Sequence, residues 1–212
     1  MTTQPDTARR HIHLVIDRSG SMSGKRTDTE GGIAALLAEQ AEIAVPTTVT
    51  LVDFDTEVRF VYELADIHEV PAYKLVPRGM TALLDAVGES ITALKRQIKA
   101  MPKEQRPTQV VFVIMTDGEE NSSKEWKLES LRALIEKRRA KGWQFLFLGA
   151  DIDAFSAASA MGIGSSTTMS YAGTSAGTQS AFAATSRVIA DGTQSGLYAY
   201  SDDDRSQASG LS

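Results

Sequence analysis

Three short stretches of this chain carry oxygen-bearing side chains in arrangements that could do chemistry: Asp17-Arg18-Ser19-Gly20-Ser21, Gly79-Met80-Thr81 and Thr116-Asp117-Gly118. Asp17, Ser19, Ser21, Thr81 and Asp117 together offer two carboxylates and three hydroxyls, with no thiolate or imidazole among them. A hard divalent cation takes oxygen ligands in near-octahedral geometry and keeps several waters. The donor set therefore points to Mg²⁺ at these five residues, with Mn²⁺ or Ca²⁺ as substitutes.

Such a site needs elements that bring the three stretches together. Residues 12–17 form a short apolar run ending in an acid, followed by a Gly/Ser-rich loop to Gly24, which reads as a buried strand delivering a loop. Ile33, Leu36, Leu37 and Ala41 then recur at helical spacing from Thr27 until Pro46. Residues 47–54 and 57–62 are β-branched and aromatic, and Asp55-Thr56 between them suits a hairpin, the one antiparallel pair expected. Leu84, Val87, Ile91, Leu94 and Ile98 mark a long amphipathic helix directly after Thr81. Residues 109–115 are nearly all apolar, as a central strand covered on both faces would be, and lead into Thr116-Asp117-Gly118. Beyond them the pattern predicts a helix through Leu128, Leu131 and Ile135, a strand at 144–149 and a small-residue helix near 153–161. A short strand near 167–171 and a helix around 175–190 complete the series. The alternation is βαβ, so loops leaving neighbouring strands at their carboxyl ends share one crevice, and distant acids and hydroxyls can meet there.

At 212 residues one α/β domain is the default. Residues 1–10 read as a polar N-terminal arm, 11–200 as the single domain, and 201–212, with Asp202, Asp203 and Asp204, as a flexible acidic and polar tail. Apolar residues at 42% and charged residues at 23% are ordinary for a folded protein. The net charge of −5 gives no basic stripe for a phosphate backbone, so nucleic acid is not an expected partner. With no cysteine, disulfides, thiolate metal sites and cysteine nucleophiles are all excluded. No stretch approaches the roughly 18 apolar residues that span a bilayer, and the polar start lacks a secretory signal's apolar segment. A cytoplasmic protein with no membrane partner is the expectation.

Each loop also has a plainer reading. Asp and Ser favour turns and caps, Thr81 could cap the helix after it, and Asp117-Gly118 could be an ordinary turn. Glu119, Glu120 and Asn121 read as a solvated rim, and Lys25 with Arg26 as solvated surface that could steer an acidic partner. His11 and His13 alternate with Ile12 and Leu14 on one strand face far from the loops, and neither they nor His68 is assigned chemistry.

Two enzyme readings fail on the letters. The run Ser19 to Arg26 departs from a phosphate-binding P-loop, with Ser for its first Gly and Arg26 where a Ser or Thr should meet Mg²⁺. A metal-dependent phosphatase of the haloacid dehalogenase kind, the alternative function, needs an acid two residues after Asp17, where Ser19 stands. No Gly-x-Ser-x-Gly elbow surrounds these serines. The chain is read as a non-enzyme.

The pattern Asp-x-Ser-x-Ser, a distant Thr and a later Asp-Gly resembles the metal-ion-dependent adhesion site of von Willebrand A and integrin I domains, in order and spacing over residues 11 to about 190. The resemblance implies that Ser19, Ser21 and Thr81 contact the metal directly while Asp17 and Asp117 act through waters or as acceptors that orient the ligands. It also implies a doubly wound, mostly parallel six-stranded sheet of order 3-2-1-4-5-6, with helices on both faces and one antiparallel edge strand. The implied function is divalent-metal-dependent protein binding, in which a partner's Asp or Glu completes the coordination. Small members resemble modules that work with AAA+ ATPases or in stress response, and similar single-domain proteins are carried by bacteria and their phages. A virion or assembly component is therefore a further alternative.

Overall fold

The computed structural model describes residues 8–210. Six strands form one sheet: β1 (Arg10–Asp17), β2 (Thr47–Phe54), β3 (Val58–Asp66), β4 (Gln109–Thr116), β5 (Gln144–Ala150) and β6 (Thr168–Tyr171), in the order β3-β2-β1-β4-β5-β6. All neighbours pair in parallel except β2 with β3, the antiparallel edge. The helices are α1 (Arg26–Ala41), α2 (Leu83–Ala100), α3 (Leu128–Arg139), α4 (Ala154–Ala160), α5 (Ser175–Ser195) and α6 (Asp202–Ser209). The doubly wound α/β fold expected from the sequence is the one observed.

Side-chain alternation along the strands builds two cores. Ile12, Leu14 and Ile16 of β1, with Val111, Val113 and Met115 of β4, face α1, α5 and α6, where Ile33, Leu36, Phe182 and Ala208 meet them. Phe112 and Ile114 of β4 and Phe145 and Phe147 of β5 face α2, α3 and α4, against Val87, Ile91, Leu131, Ile135 and Ala158. Burial on both faces explains why β4 is an apolar run rather than an alternating one. His11 and His13 lie fully buried on this second face, His13 stacking on Phe112 with centroids 4.4 Å apart.

Three boundaries differ from expectation. β3 continues to Asp66 across a register shift near Leu51, where the Leu64 amide is taken up by Thr50 Oγ1 at 3.0 Å. Arg10, placed in the polar arm, is instead the first residue of β1; its guanidinium is buried and donates to Gln40 Oε1 (2.8 Å), Thr193 Oγ1 (2.9 Å) and Thr47 Oγ1 (3.2 Å). The rest of the arm, residues 1–7, lies outside the described residues.

The segment read as a flexible tail is folded through Gly210, with 211–212 outside the described residues. Ser201 and Asp204 form a reciprocal capping box that starts α6. Arg187 of α5 pairs with Asp204, and the Ala172 amide after β6 donates to Ala208 O at 3.0 Å. Three acids at a helix N-terminus oppose the positive end of its dipole, so the composition that suggested disorder instead favours a short helix once α5 gives it a surface. Among the described residues no helix is long and apolar enough to cross a membrane.

Candidate metal centre

Asp17 ends the central strand β1, opposite Phe54 of β2, and its carboxylate is fully buried. One oxygen accepts from the Ser19 amide at 2.6 Å, closing the turn that points Ser19 upward, and the other accepts from Thr116 Oγ1 of β4 at 2.6 Å. Burial raises the Asp17 carboxyl above its ordinary value; the hydrogen bonds from Thr116 and Ser19 oppose that shift, and the charge of Asp117 adds to it. The Ser19 and Ser21 hydroxyls lie 3.0 Å apart, and Ser21 Oγ donates to Asp117 Oδ1 at 2.6 Å. Asp17, Ser19, Ser21 and Asp117 thus share one crevice, with Ser19 at its buried floor and Ser21 at its exposed rim.

Thr81 reaches the same crevice from the turn that precedes α2. A Cβ built on Gly118 would come within 3.1 Å of Thr81 Oγ1, which places that hydroxyl directly against the Asp117-Gly118 turn. Thr81 does not cap α2: the N-cap position is Ala82, and the exposed helix amides go elsewhere, Leu84 N to Glu120 Oε2 (2.9 Å) and Asp85 N to Ser123 Oγ (3.1 Å). The Thr81 amide is held by Asn121 Oδ1 at 2.9 Å, and its carbonyl accepts from the Asn121 and Ser122 amides. Of the residues read from sequence as rim, Asn121 is exposed but also holds Thr81, Glu120 ties its own turn to the first turn of α2 through Leu84 N, and Glu119 remains exposed.

A buried ionic network holds the other side of the Thr81 turn. Arg18, inside the Asp-x-Ser-x-Ser run, is nearly solvent-free and pairs with Asp53 and Asp55, each at 3.2 Å. Its amide donates to Phe54 O (2.7 Å), and its carbonyl accepts from Arg78 N (2.8 Å). Arg59 and Tyr73 also bind Asp53, and Arg78 Nε binds Asp55 at 2.6 Å. Gly20 N donates to Gly79 O at 3.3 Å, and Gly79 adopts φ +67°, a left-handed turn that a side chain would strain. The first and second loops are thus joined through the β2–β3 hairpin.

Two charged residues stand otherwise than the sequence suggested: Lys25, read there as solvated surface, and Asp151, which was not singled out. Lys25 Nζ sits 2.9 Å from Asp117 Oδ2 and 3.5 Å from Asp151 Oδ2 rather than in open solvent. Burial works to lower the Lys25 ammonium, but its bond to Asp117 and the charges of Asp117 and Asp151 outweigh that and hold it above its ordinary value. Asp151 follows β5 as Asp17 ends β1 and Asp117 follows β4, so the same strand-end logic would have found it. Arg26, by contrast, makes only an exposed pair with Glu30, and His68 is exposed away from the crevice.

The arrangement fits a hard cation on chemical grounds. Among the described residues no three His, Cys, Asp or Glu side chains cluster as a conventional metal site, which is expected when hydroxyls supply most donors. Thr81 is 3% exposed, and its hydroxyl lies against the Asp117-Gly118 turn, beside the hydroxyls and carboxylates of the other two loops. Two carboxylates in one crevice add mutual repulsion that a cation would relieve.

Comparison with known proteins agrees with this architecture. The sequence profile of the von Willebrand factor type A domain matches residues 11–186. No curated relative matches. Among solved structures, proximal thread matrix protein 1 of the mussel byssus, determined with a zinc-occupied MIDAS motif, superposes with a TM-score of 0.59 at 16% identity, covering 89% of this chain and 46% of that one. A mutant PilB minor pilin of Streptococcus sanguinis gives 0.62 at 14% identity, with 92% and 64% covered. The vWF domain of the type V pilus tip protein Mfa5 of Porphyromonas gingivalis gives 0.65 at 11% identity, with 90% and 98% covered. The chain thus spans about half the mussel protein but nearly all of the Mfa5 domain. At these identities the structures speak for the fold, and with the profile match over most of the sequence the chain belongs to the von Willebrand factor type A domain family.

Proposed function

We propose that this domain is a protein-binding module in which Asp17, Ser19, Ser21, Thr81 and Asp117 hold one divalent cation, Mg²⁺ or a substitute such as Mn²⁺ or Ca²⁺, that takes a carboxylate from a partner. The observation that carries the reading is the hydrogen-bonded series Ser19, Ser21, Asp117, backed by buried Asp17 and faced by the Thr81 hydroxyl.

When bound, the cation would supply a Lewis-acidic seat for an Asp or Glu side chain. The chain's own residues do the rest. Asp17 fixes the Ser19 turn, Asn121 fixes Thr81, Glu120 fixes the start of α2 beside it, and Ser21 lies on the solvent side. Neutral hydroxyls as direct donors leave the metal's charge largely uncompensated and available to an acidic guest. A groove of about 360 Å³ lined by Leu83, Leu84, Leu128, Ala157 and Met161 begins at Gly118, and would take an apolar side chain beside that guest's carboxylate.

Catalysis has little support. Both Asp17 oxygens are engaged and buried, which unsuits it as a phosphatase nucleophile, and His11 and His13 are in the core. The mussel protein's zinc-occupied motif and the pilus proteins support a binding role for the fold. Titration calorimetry with Mg²⁺ and Mn²⁺, followed by affinity capture from the native source with and without EDTA, tests the proposal. Capture abolished by chelator and restored by Mg²⁺ is expected, and would also separate an AAA+ ATPase, a stress-response assembly and a virion as partners. Chelator-insensitive capture would leave the metal no bridging role.

A further inference from the structure

Resting on the metal-centre reading above, we infer that Lys25 is a protein-borne cation that competes with the divalent metal for Asp117 and shares itself between Asp117 and Asp151, so that it sets the metal affinity of the site.

The two oxygens of Asp117 have separate duties. Oδ1 accepts from Ser21, within the donor cluster, while Oδ2 accepts from Lys25 at 2.9 Å. The lysine belongs to the same loop as the serines, since the 3₁₀ turn Gly20–Lys25 carries it straight from Ser21 to the crevice wall, and its side chain is only 15% exposed. Its second acceptor, Asp151 Oδ2, lies 3.5 Å away on a side chain that is 57% exposed. One ammonium therefore faces two carboxylates, one inside the donor set and one outside it.

Local backbone geometry favours this arrangement at a cost. Asp151 adopts φ +55°, a left-handed conformation that costs a non-glycine residue something but that Asp adopts more readily than most. Its Oδ1 accepts from Gly173 N at 2.8 Å. A Cβ built on Gly173 would stand 2.0 Å from Asp151 Oδ2 and 2.4 Å from Lys25 Cε, so a side chain there would push the lysine and the aspartate aside. Two strand ends and one glycine are shaped around a contact that the five donor residues do not need.

The electrostatic consequence follows from charge. Asp17 and Asp117 are the negative members of the donor set, and an ammonium on Asp117 offsets half of that charge in a poorly solvated crevice. A dication must then share Asp117 with Lys25 or displace the ammonium toward Asp151. Once bound, it is neutralised less than two free carboxylates would manage, which leaves more positive charge for an incoming acid.

The test is calorimetric titration of Mg²⁺ and Mn²⁺ into the full chain and into Lys25→Met, Asp151→Asn and the double variant, with thermal melts to verify folding. Lys25→Met is expected to bind metal about tenfold tighter or more. Asp151→Asn is expected to bind it more weakly, and that loss should shrink when Lys25 is already Met. A lysine that merely positions Asp117 would give the opposite sign on removal, so metal binding by folded Lys25→Met that is equal to or weaker than wild type overturns the inference. Lys25→Gln provides the same reading if the Met variant does not fold. If wild type and Lys25→Met both fail to bind metal, the metal-centre reading and this inference fall together. If Lys25→Met alone binds, the inference stands and the resting protein is not a metal carrier.

Discussion

The Ser21 hydroxyl donates to Asp117 Oδ1 across 2.6 Å although 96 positions separate the two residues in sequence. The bond joins a loop that leaves β1 to a loop that leaves β4, neighbours in the sheet, and it brings the polar side chains of two turns onto one surface.

Removal of Asp17 should abolish that surface as a cation site. Asp17→Asn is the gentler variant, since Asp17→Ala strands the Ser19 amide at about 1–3 kcal/mol, while the Thr116 hydroxyl keeps Gly118 O as an acceptor. Loss of measurable Mg²⁺ and Mn²⁺ binding with a retained circular dichroism spectrum is expected for either. Unchanged affinity in calorimetry on a folded variant would refute the ligand assignment.

Arg18→Met should destabilise the fold and loosen Thr81. The substitution leaves Asp53 and Asp55 buried with fewer countercharges, and losing one partner of a buried pair costs about 3–5 kcal/mol. Arg59 and Arg78 still reach these acids, so a loss near the lower end, about 3 kcal/mol, is expected in urea denaturation. A loss below about 0.5 kcal/mol, the scale of an ordinary surface substitution, would mean the network is not what holds the turn.

Stability should fall as pH drops below the ordinary imidazole range. Burial pushes His11 down to about 3 and, with the charge of His11, holds His13 well below its usual 6.5. Between pH 6.5 and the depressed folded values the unfolded chain binds protons that the folded chain refuses, so this contribution is full above pH 6.5 and declines below it. Each pH unit costs up to about 1.4 kcal/mol per imidazole. His13→Phe, which keeps the stack on Phe112, should flatten the profile of denaturation midpoints between pH 7 and 5. An unaltered slope would assign the acid sensitivity to other groups.

The C-terminal helix should be a fastened part of the domain. Ser201→Ala removes the cap of α6 and is expected to cost about 1 kcal/mol locally. Hydrogen exchange should accelerate across residues 202–209, and at the Ala172 amide that α6 accepts, with little change at β1. Wild-type amides in 202–209 that already exchange at the unprotected rate would show that the segment is not docked.

The sequence by itself determined the sheet and the convergence of Asp17, Ser19, Ser21, Thr81 and Asp117. The uninterrupted apolar run of β4, the helical spacing after Thr81 and the acids at the ends of β1 and β4 follow from local periodicity and burial, and in a βαβ chain such strand ends share one crevice. The roles of Arg18, Lys25, Glu120, Asn121 and Asp151 were decided only by tertiary structure, because a charged or amide side chain in a polar loop has the same local signature whether it meets water or a buried partner. The same holds for Arg10 and for α6: both looked solvent-bound by composition, and each is ordered by partners on α1 or α5 that no sequence window contains. Periodicity encodes which face of an element is buried, whereas the partner of a lone charge depends on distances between elements, and those exist only after the sheet has closed its crevice.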